Sequence, residues 1–377
     1  MSILFSRARK LDAAGQVDDF WMLVDGDAIV STGTGAGPSA DETIDVDGAW
    51  LTPGFIDLHS HGAGGFSYDD GRSAIESALR VHHAHGTTRS IISLVANPID
   101  SLEASLATIA ELTAADPLVL GSHLEGPYLS HERPGAHNPE YLRDPQPAEL
   151  DRLLEAAHGT LRQITIAPEL PNALELIEIL VENEIVVAIG HSEATFEQAR
   201  QAFDVGARLL THAFNAMPEI GHRAPGPVIA AFEDRRVTIE LILDGEHVHP
   251  DVAALAFRSA PGRVALITDS MAAAGSSDGE YPLGSLTVEV RHGVAHLAGT
   301  HSLAGSTLTQ DRALRLAIER VGVTPADAIA ALTITPARVL GLDARHGLLA
   351  SGFAADAVQL DSRWNVERVW ADGVAIH

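Results

Sequence analysis

His59 and His61 stand two positions apart at the end of an apolar run, inside Gly54–Gly62 (GFIDLHSHG). Positions i and i+2 of an extended chain face the same side, so the two imidazoles converge on one point, as a pair of metal ligands must. Four more residues of suitable chemistry terminate later apolar runs: Glu125 in HLEGP, His191 in GHSEAT, His212 in THAFNAM and Asp269 in TDS. A lone histidine at a strand end is more often packed or hydrogen-bonded than a ligand, but six suitable residues at strand ends make coincidence a poor explanation. Four histidines and two carboxylates suffice for two divalent ions with one bridging group, and such donors suit zinc, manganese, cobalt or iron. The chain has no cysteine, which excludes disulfides, thiolate ligands and a cysteine nucleophile.

Bringing these residues to one place requires a fold that gathers many strand ends. From about residue 50 to 345, short apolar runs alternate with helix-like segments, the pattern of a parallel α/β fold. Eight strands are predicted: Trp50–Leu58, Thr87–Val95, Leu118–Leu124, Gln163–Ala167, Ile185–Ile189, Ala207–Thr211, Val237–Leu243 and Val264–Thr268. Thr195 with Gln198 predicts a capping box, and Gly206 a helix end. A doubly wound sheet would also alternate, but the count favours a (β/α)8 TIM-like barrel, with its site at the C-terminal ends of the strands. Residues 1–49 and 346–377 read as strand-turn-strand, predicting a small β-sandwich domain formed from both chain ends and flanking a catalytic barrel over 50–345.

The 377 residues are 46% hydrophobic, enough for a sizeable core. The first fifteen residues carry an apolar stretch shorter than a signal-peptide core, and no run reaches the length of a membrane helix, which predicts a cytoplasmic protein without membrane partners. A net charge of -26, with no basic block, argues against nucleic acid. An anionic small molecule would need a few cations focused in its pocket.

The segments GFIDLHSHG, HLEGP, GHSEAT, THAFNAM, DGEHVHP, TDSMAAAG and LAGSTLT, in this order and spread over essentially the whole chain, resemble the amidohydrolase superfamily and within it the N-acetylglucosamine-6-phosphate deacetylases. The resemblance implies hydrolysis of the acetamide of N-acetyl-D-glucosamine 6-phosphate to D-glucosamine 6-phosphate and acetate by a metal-activated water, in amino-sugar catabolism and cell-wall sugar recycling. It implies that Asp269 is the general base and acid, that Glu125, His191 and His212 form one metal site, and that His59 and His61, with Glu125 or Asp269, form a second. Zinc is the expected ion, with iron, manganese or cobalt as alternatives. One or two ions per subunit are implied, and the His59 and His61 pair favours two.

By the same resemblance, His137 in RPGAHNP would hydrogen-bond the acetyl carbonyl, while Asn215, Ala216 and His247 would contact the sugar phosphate. Arg223 would reach it from the neighbouring subunit of a homodimer. Two departures stand out: Arg133–Pro134 replaces the usual basic stretch, and Ala224 stands where relatives commonly carry Glu. His123 shares parity with Glu125 and is expected to face the barrel interior behind the ligands. A second reading is a hydrolase of the same fold acting on a cyclic amide, an N-acyl amino acid or another N-acetyl hexosamine. A third is a scaffold without activity, which loss of ligands would mark; here all six remain.

Overall fold

Aliphatic and β-branched runs become strands where both faces can be covered, and the computed structural model, describing residues 1–377, contains two eight-stranded sheets. In the barrel sheet, β1 (Phe55–Asp57), β2 (Thr87–Leu94), β3 (Val119–Glu125), β4 (Leu161–Ile166), β5 (Val186–Ile189), β6 (Leu209–Leu210), β7 (Thr238–Ile242) and β8 (Val264–Ile267) are neighbours in chain order. The pairs from β2 to β8 are parallel. A helix follows each strand: Arg72–Ala84, Ile99–Ala115, Pro147–Ala157, Ala173–Glu182, Phe196–Asp204, Gly226–Glu233, Pro250–Ser259 and Gln310–Leu316.

The sheet is drawn nearly closed at the C-terminal strand ends. Asp269 N donates to His59 O (2.8 Å), and His61 N donates to Ser270 O (2.7 Å). Every residue of β2 is buried, as a strand covered on both faces requires. The predicted capping box is present: Gln198 N donates to Thr195 Oγ1 and Thr195 N to Gln198 Oε1. A reciprocal cap of this kind stabilises a helix start by about 1 kcal/mol.

Both chain ends build the other sheet, from Ser2–Asp12, Gly15–Asp25, Ala28–Thr34, Glu42–Asp45, Trp50–Pro53, Ala357–Leu360, Val366–Ala371 and Val374–Ala375. It is mainly antiparallel, and its core includes Phe5, Met22, Ile29, Leu51 and Trp370. The predicted strand Trp50–Leu58 is therefore two strands, one in each sheet. Gly54 is the break: its N–H donates to Asp356 O, while the next N–H donates to Gly86 O. A Cβ at Gly54 would lie 2.3 Å from Thr88 Oγ1, so no larger residue fits there.

Contacts group the chain into two compact units, Met1–Asp57 with Arg80–Arg89 and Gln310–His377, and Leu58–Leu79 with Ser90–Thr309. In the first, buried Arg89 donates to both oxygens of Asp356 (2.8 and 3.0 Å) and also pairs with Asp372. In the second, an antiparallel insert (Gly279–Leu283, Leu286–Arg291, Val294–Leu297) follows β8. No helix is long and apolar enough to cross a membrane.

Candidate metal centre

Strand ends place the donors. Glu125 is the last residue of β3, and His59, His191, His212 and Asp269 each stand two residues beyond β1, β5, β6 and β8. His191, His212 and Asp269 have left-handed backbones, with φ of 47°, 24° and 46°. Such conformations cost non-glycine residues of order 1 kcal/mol or more and persist where the surroundings impose them, often at functional sites.

The six donors form two groups that share Glu125. In the first, His191 Nε2 lies 3.1 Å from Glu125 Oε1, His212 Nε2 lies 3.0 Å from the same oxygen, and the two nitrogens are 3.0 Å apart. In the second, His59 and His61 Nε2 are 3.1 Å apart. They face Glu125 Oε2 at 3.4 and 3.1 Å and Asp269 Oδ1 at 3.6 and 3.4 Å. All six residues are buried.

This donor set fits a divalent ion. Ligand atoms around a tetrahedral ion at roughly 2.0–2.1 Å lie about 3.3 Å from one another, close to the spacings found in each group. His191 Nδ1 donates to the carbonyl of Arg133 (2.9 Å), which leaves the lone pair on Nε2, toward Glu125 and His212. Gly135 allows the loop to pass here, since a Cβ on it would lie 2.8 Å from His191 Cε1.

The two histidines and two carboxylates of the second group shift one another's proton affinities. Burial opposes charge on His59, yet Glu125 and Asp269 outweigh it and hold the imidazole well above its usual range. Burial likewise opposes the His61 cation, and the hydrogen bonds it donates to Asp269 and Glu125 carry its pKa up to about 9. Burial would raise both carboxyls, but the imidazoles, His59 foremost, hold Glu125 well below and Asp269 below the ordinary range. Both are therefore carboxylates at neutral pH.

A cavity of about 260 Å³ opens onto these donors and is lined also by His137, Asn215, Ala216, His247, Leu283 and Leu303. His137 Nδ1 accepts from Ala96 N (3.1 Å), so its proton sits on Nε2, 3.4 Å from Glu125 Oε2. Burial lowers its pKa to about 4, which keeps it a neutral donor. His247 differs: burial opposes its charge, but the hydrogen bond to Asp244 (2.7 Å) raises its pKa. Asn215 spends its amide N–H groups on the carbonyls of His212 and Ala213, fixing the turn that presents Ala216.

Arg223 is exposed on the loop before Gly226–Glu233 and does not line this cavity. Two reciprocal backbone bonds between Gly221 and Ala224 close that loop, so its shape does not depend on the residue 224 side chain. In the Arg133–Pro134 loop the Arg133 carbonyl accepts from His191, and the Arg133 side chain pairs with Glu193. His123 sits behind the donors as expected, with its ring 4.7 Å from that of His59 and its nitrogens bonded to Ser93 and Thr165. Sequence reasoning missed Glu240 and Gln163, which are buried beside His59. The available signal was a single carboxylate inside the otherwise apolar run VTIELIL.

A nearly closed parallel barrel with a buried histidine and carboxylate cluster at its strand ends defines a class of metal-dependent hydrolases, and residues 50–376 match the amidohydrolase family, to which this chain belongs. Within that family, the chain is 39% identical over 372 residues to the N-acetylgalactosamine-6-phosphate deacetylase of Escherichia coli O157:H7, covering 97% of each. It is 34% identical to the N-acetylglucosamine-6-phosphate deacetylase of Vibrio furnissii, over 86% of this chain and 82% of that protein. Among solved structures, a mutant N-acetyl-D-glucosamine-6-phosphate deacetylase from Mycobacterium smegmatis, in complex with N-acetyl-D-glucosamine 6-phosphate, superposes with a TM-score of 0.95. It is 41% identical, covering 100% of this chain and 99% of that one.

Proposed function

We propose that this chain hydrolyses the acetamide of N-acetyl-D-glucosamine 6-phosphate to D-glucosamine 6-phosphate and acetate. The observation that carries this reading is the pair of donor groups sharing Glu125 beneath a cavity that also holds His137 and His247. Glu125, His191 and His212 would hold one ion, and His59, His61, Glu125 and Asp269 a second; zinc is the favoured metal. When bound, such ions lower the pKa of a water to about 7 and polarise a carbonyl.

The chain's own groups do the rest. Asp269, held as a carboxylate, accepts the proton of the attacking water as the new C–O bond forms. It returns that proton to nitrogen as the C–N bond breaks, so the amine leaves neutral. His137 donates from Nε2 to the acetyl oxygen, where negative charge develops. His247, whose protonated form Asp244 favours against burial, faces the phosphate with Asn215 and Ala216 beside it. Arg223, exposed in its own chain, would complete the phosphate clamp of the neighbouring subunit in a homodimer, where its planar fork suits two phosphate oxygens.

We place the enzyme in the cytoplasm and take residues 50–345 as the catalytic domain, with 1–49 and 346–377 flanking it. Acetate release from the 6-phosphate, measured against unphosphorylated N-acetylglucosamine, tests the reading: equal rates overturn the phosphate clamp. Arg223→Ala should remove most of that preference. The Escherichia coli relative favours a second reading, in which the 4-epimeric N-acetylgalactosamine 6-phosphate is the better substrate. Comparing kcat/KM for the two sugars decides between them.

A further inference from the structure

We propose that Glu240 is a positioning residue for His59, holding the imidazole turned so that Nε2 faces Glu125 and Asp269, and thereby sets how firmly the His59, His61, Glu125 and Asp269 group holds its ion. This rests on reading that group as an ion site. Glu240 lies in β7, completely buried. Its Oε2 is 3.3 Å from His59 Nδ1 and 3.4 Å from the backbone N of His212, and its Oε1 accepts from Gln163 Nε2 at 3.0 Å.

Every one of these contacts offers it a donor, which suits a group that only accepts. With the Nδ1 proton committed to Glu240, His59 presents its lone pair from Nε2. His123, edge-on at 4.7 Å, and His212, stacked at 5.7 Å, flank the ring.

The other three imidazoles are held differently. His191 leans on a backbone carbonyl, and Nδ1 of His61 and of His212 meets no hydrogen-bonding group of the chain. One ligand of the four therefore has a carboxylate behind it, and it belongs to the group that would take the second ion. A carboxylate in that position fixes the tautomer and makes the imidazole a stronger ligand, and removing such a partner typically weakens metal binding 10–100-fold. Glu240 should weaken the His59 group more than the other, which it meets through the longer 3.4 Å bond from the backbone N of His212.

The test is zinc titration of the full-length chain, stripped with a chelator, against a chromophoric competitor. The unaltered protein should bind two ions per chain. Glu240→Gln should bind one ion about 10–100-fold more weakly and the other with a smaller loss, with the melting temperature of the stripped protein unchanged, and Glu240→Asp should recover part of the loss. Two unchanged affinities in Glu240→Gln overturn the assignment, as does an equal loss at both sites, which would mark a merely structural residue. If the unaltered chain binds a single ion, the two-ion reading fails instead. Should Glu240→Gln not fold, Gln163→Met takes its place: a smaller loss confined to one ion supports the role, and no change overturns it.

Discussion

Arg89 and Asp356 are buried, as His59 and Glu125 are, yet the two clusters differ in what neutralises their carboxylates. In the unit built from the chain ends, Asp356 and Asp372 face a guanidinium that keeps its proton at any physiological pH. In the unit that carries the barrel mouth, Glu125 and Asp269 face imidazoles, which can give up a proton and offer a lone pair instead. A buried carboxylate paired with a permanent cation closes a structural account. One paired with exchangeable imidazoles leaves a place for an ion, so the partner separates scaffold from site.

The sharpest way to break this comparison is to remove one carboxylate from each cluster. Asp269→Asn should lower acetate release by about 10²–10⁴-fold with little change in melting temperature; unchanged turnover would sink its proton-transfer role. Asp356→Asn should do the reverse, costing about 3 kcal/mol in denaturant unfolding by leaving Arg89 partly unpaired, with kcat and metal content intact.

Acid sharpens the contrast further. Burial would raise the Asp356 pKa, but His346 and Arg89 bring it down to about 2. A depressed carboxyl contributes stability above its unfolded pKa of about 4 that is lost as pH falls toward 2, here roughly 2–3 kcal/mol. Unfolding free energies measured from pH 5 to 2 should show that decline, and Asp356→Asn should flatten it.

A further expected effect is in metal uptake. With His61 at about 9 when no ion is bound, loading at neutral pH must expel protons. Apparent affinity should therefore rise with pH up to about 9, by at most tenfold per unit for each proton displaced. Proton release recorded in weakly buffered solution during zinc addition checks this, and a pH-independent affinity would contradict it.

The donors were legible because a strand end exposes one or two polar residues after an apolar run, and all six lie at such positions. The barrel followed from counting those runs. Glu240 was not legible, since one carboxylate within VTIELIL has no spacing partner and its role depends on Gln163 and His59, distant in sequence, arriving beside it. Nor was the break at Gly54: both halves of Trp50–Leu58 are buried, and the change of hydrogen-bond partner separates them. At 133 and 224 sequence shows the side chains but not the backbone bonds, from His191 to the Arg133 carbonyl and between Gly221 and Ala224.

The left-handed backbones of His191, His212 and Asp269 also bear on how such a chain can change over generations. At each of these positions glycine would relieve the strain and also delete a ligand, so the substitutions that relax the scaffold are the ones that disarm it. A lineage released from the need to hydrolyse anything should drift toward glycine at 191, 212 and 269 and melt at a higher temperature for it.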